Sequence, residues 1–117
     1  MIKVADSLSE LADSVVYLRI NCNAKQYPTE FQTYDEGWES LNQSLSRLRT
    51  TLSEARHAQL IDMAAQARAH FDAEAQDEHE GFFGSWLMQD IEQVVRGKPP
   101  FAYPEDMYRW PRESRAD

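Results

Sequence analysis

Residues 31–52 read FQTYDEGWESLNQSLSRLRTTL, and they carry the strongest periodic pattern in the chain. Large apolar side chains recur here at alternating steps of three and four residues. On an α-helix this spacing places them along one face, and the intervening polar residues cover the remainder. We call this set the stripe; its members are Phe31, Tyr34, Trp38, Leu41, Leu45, Leu48 and Leu52. The stripe predicts a central helix whose apolar face is buried by the rest of the chain.

The start of the central helix has two interpretations because Gly37 lies inside the pattern. In the first, the helix begins at Pro28, since proline at the first helical position loses no hydrogen bond. In the second, it begins near Asp35, and residues 27–34 form a packed loop. A glycine inside a helix costs about 1 kcal/mol relative to alanine. The unbroken spacing across Gly37 nevertheless favours the longer helix.

The stripe could also be the seam of a homodimeric coiled coil, because its spacing is that of a heptad repeat. Three heptads are short for an isolated coiled coil, and the chain contains other amphipathic segments. We therefore interpret the stripe as an internal core, and an additional homodimer contact stays open.

Three further helices are predicted, together with a loop. The first runs from Leu8 to Asn21, with a capping box of Ser7 and Glu10 at its start. Its inner line combines Leu8, Leu11, Val15 and Leu18, and Cys22 near its end is interpreted as a small, partly buried filler and not as a nucleophile. The third runs from Ser53 to Gln76 behind a second capping box, Thr51 and Glu54. Its inner line is Leu60, Ala64, Ala67 and Phe71.

The end of the chain contains several helix breakers. Gly81 and Gly84, within a charged stretch, predict a loop over residues 77–84. The fourth helix is then expected from Ser85 to Arg96, with Gly97 and two prolines as its stop signal. Residues 101–111 are rich in proline and aromatic residues and are interpreted as a strap across the helices. The sequence thus predicts an all-α fold, an irregular four-helix bundle over residues 1–111, and a disordered tail over 112–117.

Composition limits the classes of partner. Twenty acidic residues against twelve basic ones give a formal net charge of −8. Binding to nucleic acid requires a basic surface, so nucleic acid is not an expected ligand. The sequence has no long apolar run and no signal-peptide pattern, so we expect a cytoplasmic protein without a membrane partner. No cofactor motif is present, and no cofactor is predicted.

The charge is concentrated in one part of the chain. Residues 69–95 contain no lysine or arginine. Acidic residues that surround aromatic ones suit a protein interface, since charge speeds the encounter and aromatic rings provide the anchor. The predicted partner-binding residues are Asp72, Glu74, Asp77, Glu78, Glu80, Phe82 and Phe83. The alternative for the two phenylalanines is that they fold back into the core.

Histidines beside carboxylates provide a second functional hypothesis, a small metal-binding protein or enzyme. Glu54 and His57 have the spacing of half a di-metal site in helical bundles, which requires two such pairs. His70 and His79 also have acidic neighbours. No known ligand spacing or catalytic motif connects these residues, so we predict no metal site and no enzymatic activity.

In size, acidity, helical character and lack of motifs, the whole chain resembles the small bacterial immunity proteins that inhibit toxins. The resemblance implies a protein inhibitor that covers or distorts the active site of a cognate toxin. A basic, nuclease-like toxin would complement the acidic residues named above. A chaperone or adaptor for a secreted partner would use the same surface and is the remaining alternative.

Overall fold

The computed structural model describes residues 4–24 and 33–99, and these residues form helices and no strand. The all-α prediction is therefore confirmed. The predicted strap over 101–111 and the tail over 112–117 lie outside the described residues. In chain order the helices are α1 (Leu8–Ala24), α2 (Tyr34–Arg47), α3 (Arg49–Leu52), α4 (Glu54–Ala73) and α5 (His79–Val95). Four long helices thus build the bundle, and α3 is a single turn between α2 and α4.

Helices α2 and α4 are antiparallel. At the start of α2 the Tyr34 hydroxyl donates a hydrogen bond of 2.6 Å to Asp72 near the end of α4. Beside it, Arg68 binds Asp35 with 2.6 Å between nitrogen and oxygen. These contacts join the first turn of one helix to the last turns of the other.

Helices α1 and α5 complete the up-and-down arrangement. Asp6, just before α1, binds Arg47 at the end of α2 at 2.6 Å. Cys22, near the end of α1, lies beside Tyr34 at the start of α2. Helices α1 and α2 are therefore antiparallel, and so are α4 and α5, which meet at their connecting turn. The end of α1 consequently lies at the same end of the bundle as the start of α5.

The stripe forms the centre of the core, as its spacing predicts. Tyr34 is half-buried, Phe31 lies outside the described residues, and the other five members are buried: Trp38, Leu41, Leu45, Leu48 and Leu52. The inner line of α4 is likewise buried, namely Leu60, Ala64, Ala67 and Phe71. Because the alanines are small, α4 can approach the bulky stripe closely.

The start of α2 corrects the favoured interpretation of a helix from Pro28. Thr33 has extended backbone angles, φ −89° and ψ 174°, so the helix cannot continue through it toward the N-terminus. Its hydroxyl accepts from the Glu36 N–H at 3.2 Å, and the Glu36 carboxylate accepts from the Thr33 N–H at 3.0 Å. This capping box stabilises the first turn and lowers the pKa of Glu36, chiefly through the backbone hydrogen bond. α2 thus begins at Tyr34, in agreement with the shorter alternative, and Gly37 lies inside it.

The predicted capping box of Thr51 and Glu54 is wrong. Thr51 lies within α3, and Ser53 is the N-cap of α4, accepting from the Arg56 N–H at 3.3 Å. The Glu54 carboxylate binds Arg49 instead, at 2.7 and 2.9 Å. Ser53 has φ 80° and ψ 156°, a region that strongly favours glycine because glycine has no Cβ to clash with the backbone. α4 ends at Ala73, three residues before the predicted Gln76.

Helix α1 is longer than predicted and extends to Ala24. Leu11, Val15 and Leu18 are buried, and Cys22 fills the core as expected. The capping arrangement is shifted by one residue. The Ser7 hydroxyl accepts from the Glu10 N–H at 3.1 Å, but the Glu10 carboxylate accepts from the N–H of Asp6, at 2.7 Å.

The predicted loop over residues 77–84 is also wrong, because α5 begins at His79 and not after Ser85. Both glycines are buried inside this helix and face α4. A Cβ at Gly84 would lie 2.8 Å from the Phe71 ring, and one at Gly81 would lie 2.7 Å from the Glu74 carboxyl carbon. The glycines therefore permit close packing of two helices.

The end of α5 agrees with the predicted stop at Gly97, which has φ 78°. The Lys98 N–H donates to the Gln93 carbonyl at 2.9 Å, and the Gly97 N–H donates to the Val94 carbonyl at 3.0 Å. These two bonds form a Schellman motif, in which glycine readily takes the left-handed position. α5 buries Met88, Ile91, Val94 and Val95.

Candidate partner-binding surface

The end of α4 and the start of α5 form a corner over residues 70–84 that contains all seven predicted binding residues. Inside this corner, the His70 ring nitrogen lies 2.5 Å from a carboxylate oxygen of Glu80. Glu80 is only 5% exposed. Removing a carboxylate from water is costly unless a partner compensates, and His70 provides that partner. Glu80 thus belongs to the interior of the corner and not to its surface, contrary to the prediction.

The two phenylalanines have opposite positions. Phe83 is 1% exposed, and its ring packs 5.5 Å from the His70 ring and 5.6 Å from the Trp86 ring. Phe82 is 57% exposed. The alternative that the phenylalanines fold back into the core therefore holds for Phe83, whereas Phe82 is accessible to a partner. Adjacent helical residues point about 100° apart, which explains why one pair divides between core and surface.

Two of the acidic residues mainly serve contacts within the bundle. Asp72 is exposed, but it accepts the Tyr34 hydroxyl and lies 3.9 Å from Arg68. Burial, followed by the bond to Asp72, raises the pKa of Tyr34 above its usual range. Glu74 is half-buried, with its carboxylate over Gly81.

The turn between the two helices carries Asp77, Glu78 and His79. Asp77 is half-buried, accepts the His79 N–H at 3.0 Å and lies 3.2 Å from the His79 ring. Glu78 is exposed, four residues before Phe82 and so on the same side of the helix. The His79 ring lies 6.2 Å from the Phe82 ring. Glu78 and Phe82 therefore form an accessible patch on one side of the corner.

Two exposed side chains on α1 were not predicted. Tyr17 is 53% exposed and Ile20 is 51% exposed, and both are large and apolar. The sequence contains a signal for them, because α1 has apolar residues on more than one face. The buried line through Leu11, Val15 and Leu18 leaves Tyr17 and Ile20 on the opposite side. The predicted buried line accounts for the helix without them, so the sequence alone gives these two residues no role.

The histidine–carboxylate hypothesis gains no support from the geometry. Within residues 4–24 and 33–99, no three histidine, cysteine or acidic side chains are grouped so that they could hold a metal ion. The Glu54 carboxylate, the proposed partner of His57, is bound to Arg49, and this bond lowers the pKa of Glu54. The carboxylate of the single Glu-x-x-His pair is thus engaged in a surface ion pair with Arg49.

Comparisons with known proteins provide no relative: no protein-family model matches the chain, and searches of curated proteins and of solved structures found no significant match. In the part of the chain that the structure describes, none of the helices has both the length and the apolar character needed to cross a bilayer. The functional conclusion therefore depends on the geometry of the corner.

Proposed function

We propose that the protein is a binding protein that inhibits a basic protein partner, in the manner of the small immunity proteins that it resembles. One observation supports this proposal above the others. Phe82 is an exposed aromatic ring beside the exposed carboxylate of Glu78, within a segment, residues 69–95, that contains no lysine or arginine. Aromatic residues, including phenylalanine, are enriched in protein interfaces, and charge complementary to the partner speeds the encounter.

The interior of the corner supports the same proposal. The buried pair of His70 and Glu80, and the close contacts at Gly81 and Gly84, fix the first turns of α5 against α4. A ring held on a fixed helix loses little conformational freedom on binding, so less of the contact energy is lost to ordering. Phe82 is therefore presented as a preorganised anchor.

The negative charge predicts how the partner binds. A carboxylate-rich surface attracts a basic protein over a Debye length of about 8 Å at physiological salt. Electrostatic attraction mainly raises the association rate and weakens as salt is added. We expect a complex with a fast, salt-sensitive association rate, and we expect the partner's surface to be basic around an apolar socket for Phe82.

The test uses the protein encoded directly upstream of this chain's gene. We expect the upstream protein to be toxic when it is expressed alone. Co-expression of this chain should relieve that toxicity, and the two purified proteins should associate. Glu78→Lys should lower the association rate roughly 3- to 10-fold at low salt. Glu39→Lys, on the exposed face of α2, changes the net charge equally and serves as the matched control. Glu80 is unsuitable for this test because its reversal would disrupt the buried pair.

Two results would contradict the proposal. One is an upstream protein that neither binds the chain nor loses toxicity in its presence. The other is an association rate that Glu78→Lys and Glu39→Lys change to the same extent, since total charge, and not the corner, would then control the encounter.

A further inference from the structure

Three large apolar side chains are exposed in the described part of the chain, namely Tyr17, Ile20 and Phe82. Two lie on α1 and one lies on α5. Their placement on two helices raises the question of whether they belong to one surface. The contacts between α1 and α5 answer it.

On α1, Asp13, Tyr17 and Ile20 follow one another at steps of four and three residues, and all three are exposed. On α5, the same steps connect Phe82 to Arg96 by way of Trp86, Gln89 and Gln93, each of which is at least partly exposed. Each set therefore lies along one side of its helix.

An ion pair joins the two sets. An Arg96 nitrogen lies 4.0 Å from a carboxylate oxygen of Asp13. Since Arg96 is on the same side of α5 as Phe82, and Asp13 is on the same side of α1 as Tyr17, both sets face the same side of the bundle. They border the outer groove between α1 and α5.

The separation along the bundle is also compatible with one surface. With a rise of about 1.5 Å per residue, Phe82 lies about 21 Å from Arg96, and Ile20 lies about 10 Å from Asp13. Because α1 and α5 are antiparallel, Ile20 and Phe82 are about 10 Å apart along the axis. A standard interface buries about 800 Å² on each partner, which is enough to cover all three residues.

We propose that the binding surface is bipartite, and that the same basic partner contacts Tyr17 and Ile20 on α1 as well as Phe82 on α5. This inference rests on the proposed function. The charge around the groove favours such a partner, because Glu10 is exposed at one end of α1 and Glu78 is exposed beside Phe82, while the charge of Asp13 is balanced by Arg96. The partner then presents two apolar contacts with basic residues around them.

The test places the photo-crosslinking residue p-benzoylphenylalanine in the full chain at Tyr17 or at Phe82, in its native host. Ala65, on the outward face of α4, is the control position. We expect the first two positions to crosslink to one and the same protein with a basic isoelectric point, identified by mass spectrometry, and Ala65 to give no such product. With the identified protein purified, the double variant Tyr17→Ser/Ile20→Ser and the single variant Phe82→Ser should each weaken its affinity at least about tenfold.

The outcomes separate the two proposals. Crosslinking from Phe82 alone would overturn the bipartite surface and leave the proposed function intact. Crosslinking from neither position would overturn both. Products that join Tyr17 to a second copy of the chain, or to its own residues 100–117, would show that the exposed side of α1 contacts something other than the proposed partner. They would likewise overturn the inference.

Discussion

The stripe and the α4–α5 corner are built by different means. The stripe is a continuous row of large apolar side chains, and five of its six members in the described part of the chain are buried. The corner is rich in charge and glycine, yet it buries the pair of His70 and Glu80 and the two glycines of α5, Gly81 and Gly84. Burial of apolar side chains tolerates small adjustments, whereas burial through close contacts and a buried hydrogen bond requires specific partners. The stripe therefore holds the fold together, and the corner sets the position of Phe82.

The largest expected effect is in the stripe. Leu45 is fully buried, so Leu45→Ala should lower the free energy of unfolding by about 2–5 kcal/mol, through lost transfer energy and a cavity. Urea denaturation measures this value, with the exposed Asn42→Ala as control. A loss of less than about half a kcal/mol in the free energy of unfolding would contradict the position of α2 at the centre of the core.

The buried pair of the corner should be the next most sensitive feature. Glu80→Gln replaces a charged hydrogen-bond partner of His70 and should cost about 1.5–3 kcal/mol in stability. Glu78→Gln, two residues earlier and exposed, should change stability by less than about 0.5 kcal/mol. Equal effects of the two substitutions would mean that Glu80 is not buried against His70.

The glycines distinguish a packed helix from a loop. Gly84→Ala would place a methyl group 2.8 Å from the Phe71 ring, which is itself buried against Trp38 and cannot easily move. We expect a loss of about 1–3 kcal/mol in thermal or chemical denaturation. Gly81→Ala meets the half-exposed Glu74 side chain, which can swing away, so its cost should be clearly smaller. A stabilisation by Gly84→Ala, of about 1 kcal/mol as in an open helix, would contradict the close packing.

The smallest effect is expected where α3 meets α4, the junction between the stripe and the helix that leads to the corner. Ser53 has a backbone conformation that is nearly restricted to glycine. Ser53→Gly should therefore raise stability by about 1 kcal/mol, because glycine retains most of the N-cap preference. Ser53→Ala serves as the contrast and should be destabilising. A loss of stability in Ser53→Gly would show that the hydroxyl bond to Arg56 outweighs the strain.

Much of the bundle could be predicted from local patterns. The spacing in the stripe and in α4 identified most of the core, because helical periodicity and burial are directly linked. The predicted start of α2 is too early, because the apolar spacing of the stripe continues from Tyr34 back to Phe31, beyond the N-cap. Only the capping box of Thr33 and Glu36 marks the observed start. The start of α5 was placed too late, because glycine in sequence signals equally a loop and a close contact between helices.

The candidate site was predicted less well than the fold. Glu80 and Phe83 belong to the interior, and Tyr17 and Ile20 had no assigned role. The sequence does not show which residue pairs with a given charged side chain. His70 is ten residues away from Glu80, so local spacing does not reveal their contact. Likewise, an apolar residue beside a buried line can point either inward or outward.

The sequence by itself determined the helical class, the buried stripe, the stop at Gly97 and the concentration of negative charge, because each follows from residues that are neighbours along the chain. Only the tertiary structure decided which acidic residues remain on the surface, why Gly81 and Gly84 lie inside a helix, and that Tyr17 and Phe82 face the same side. Those features depend on distances between separate helices. Such distances arise from packing, which local spacing does not encode.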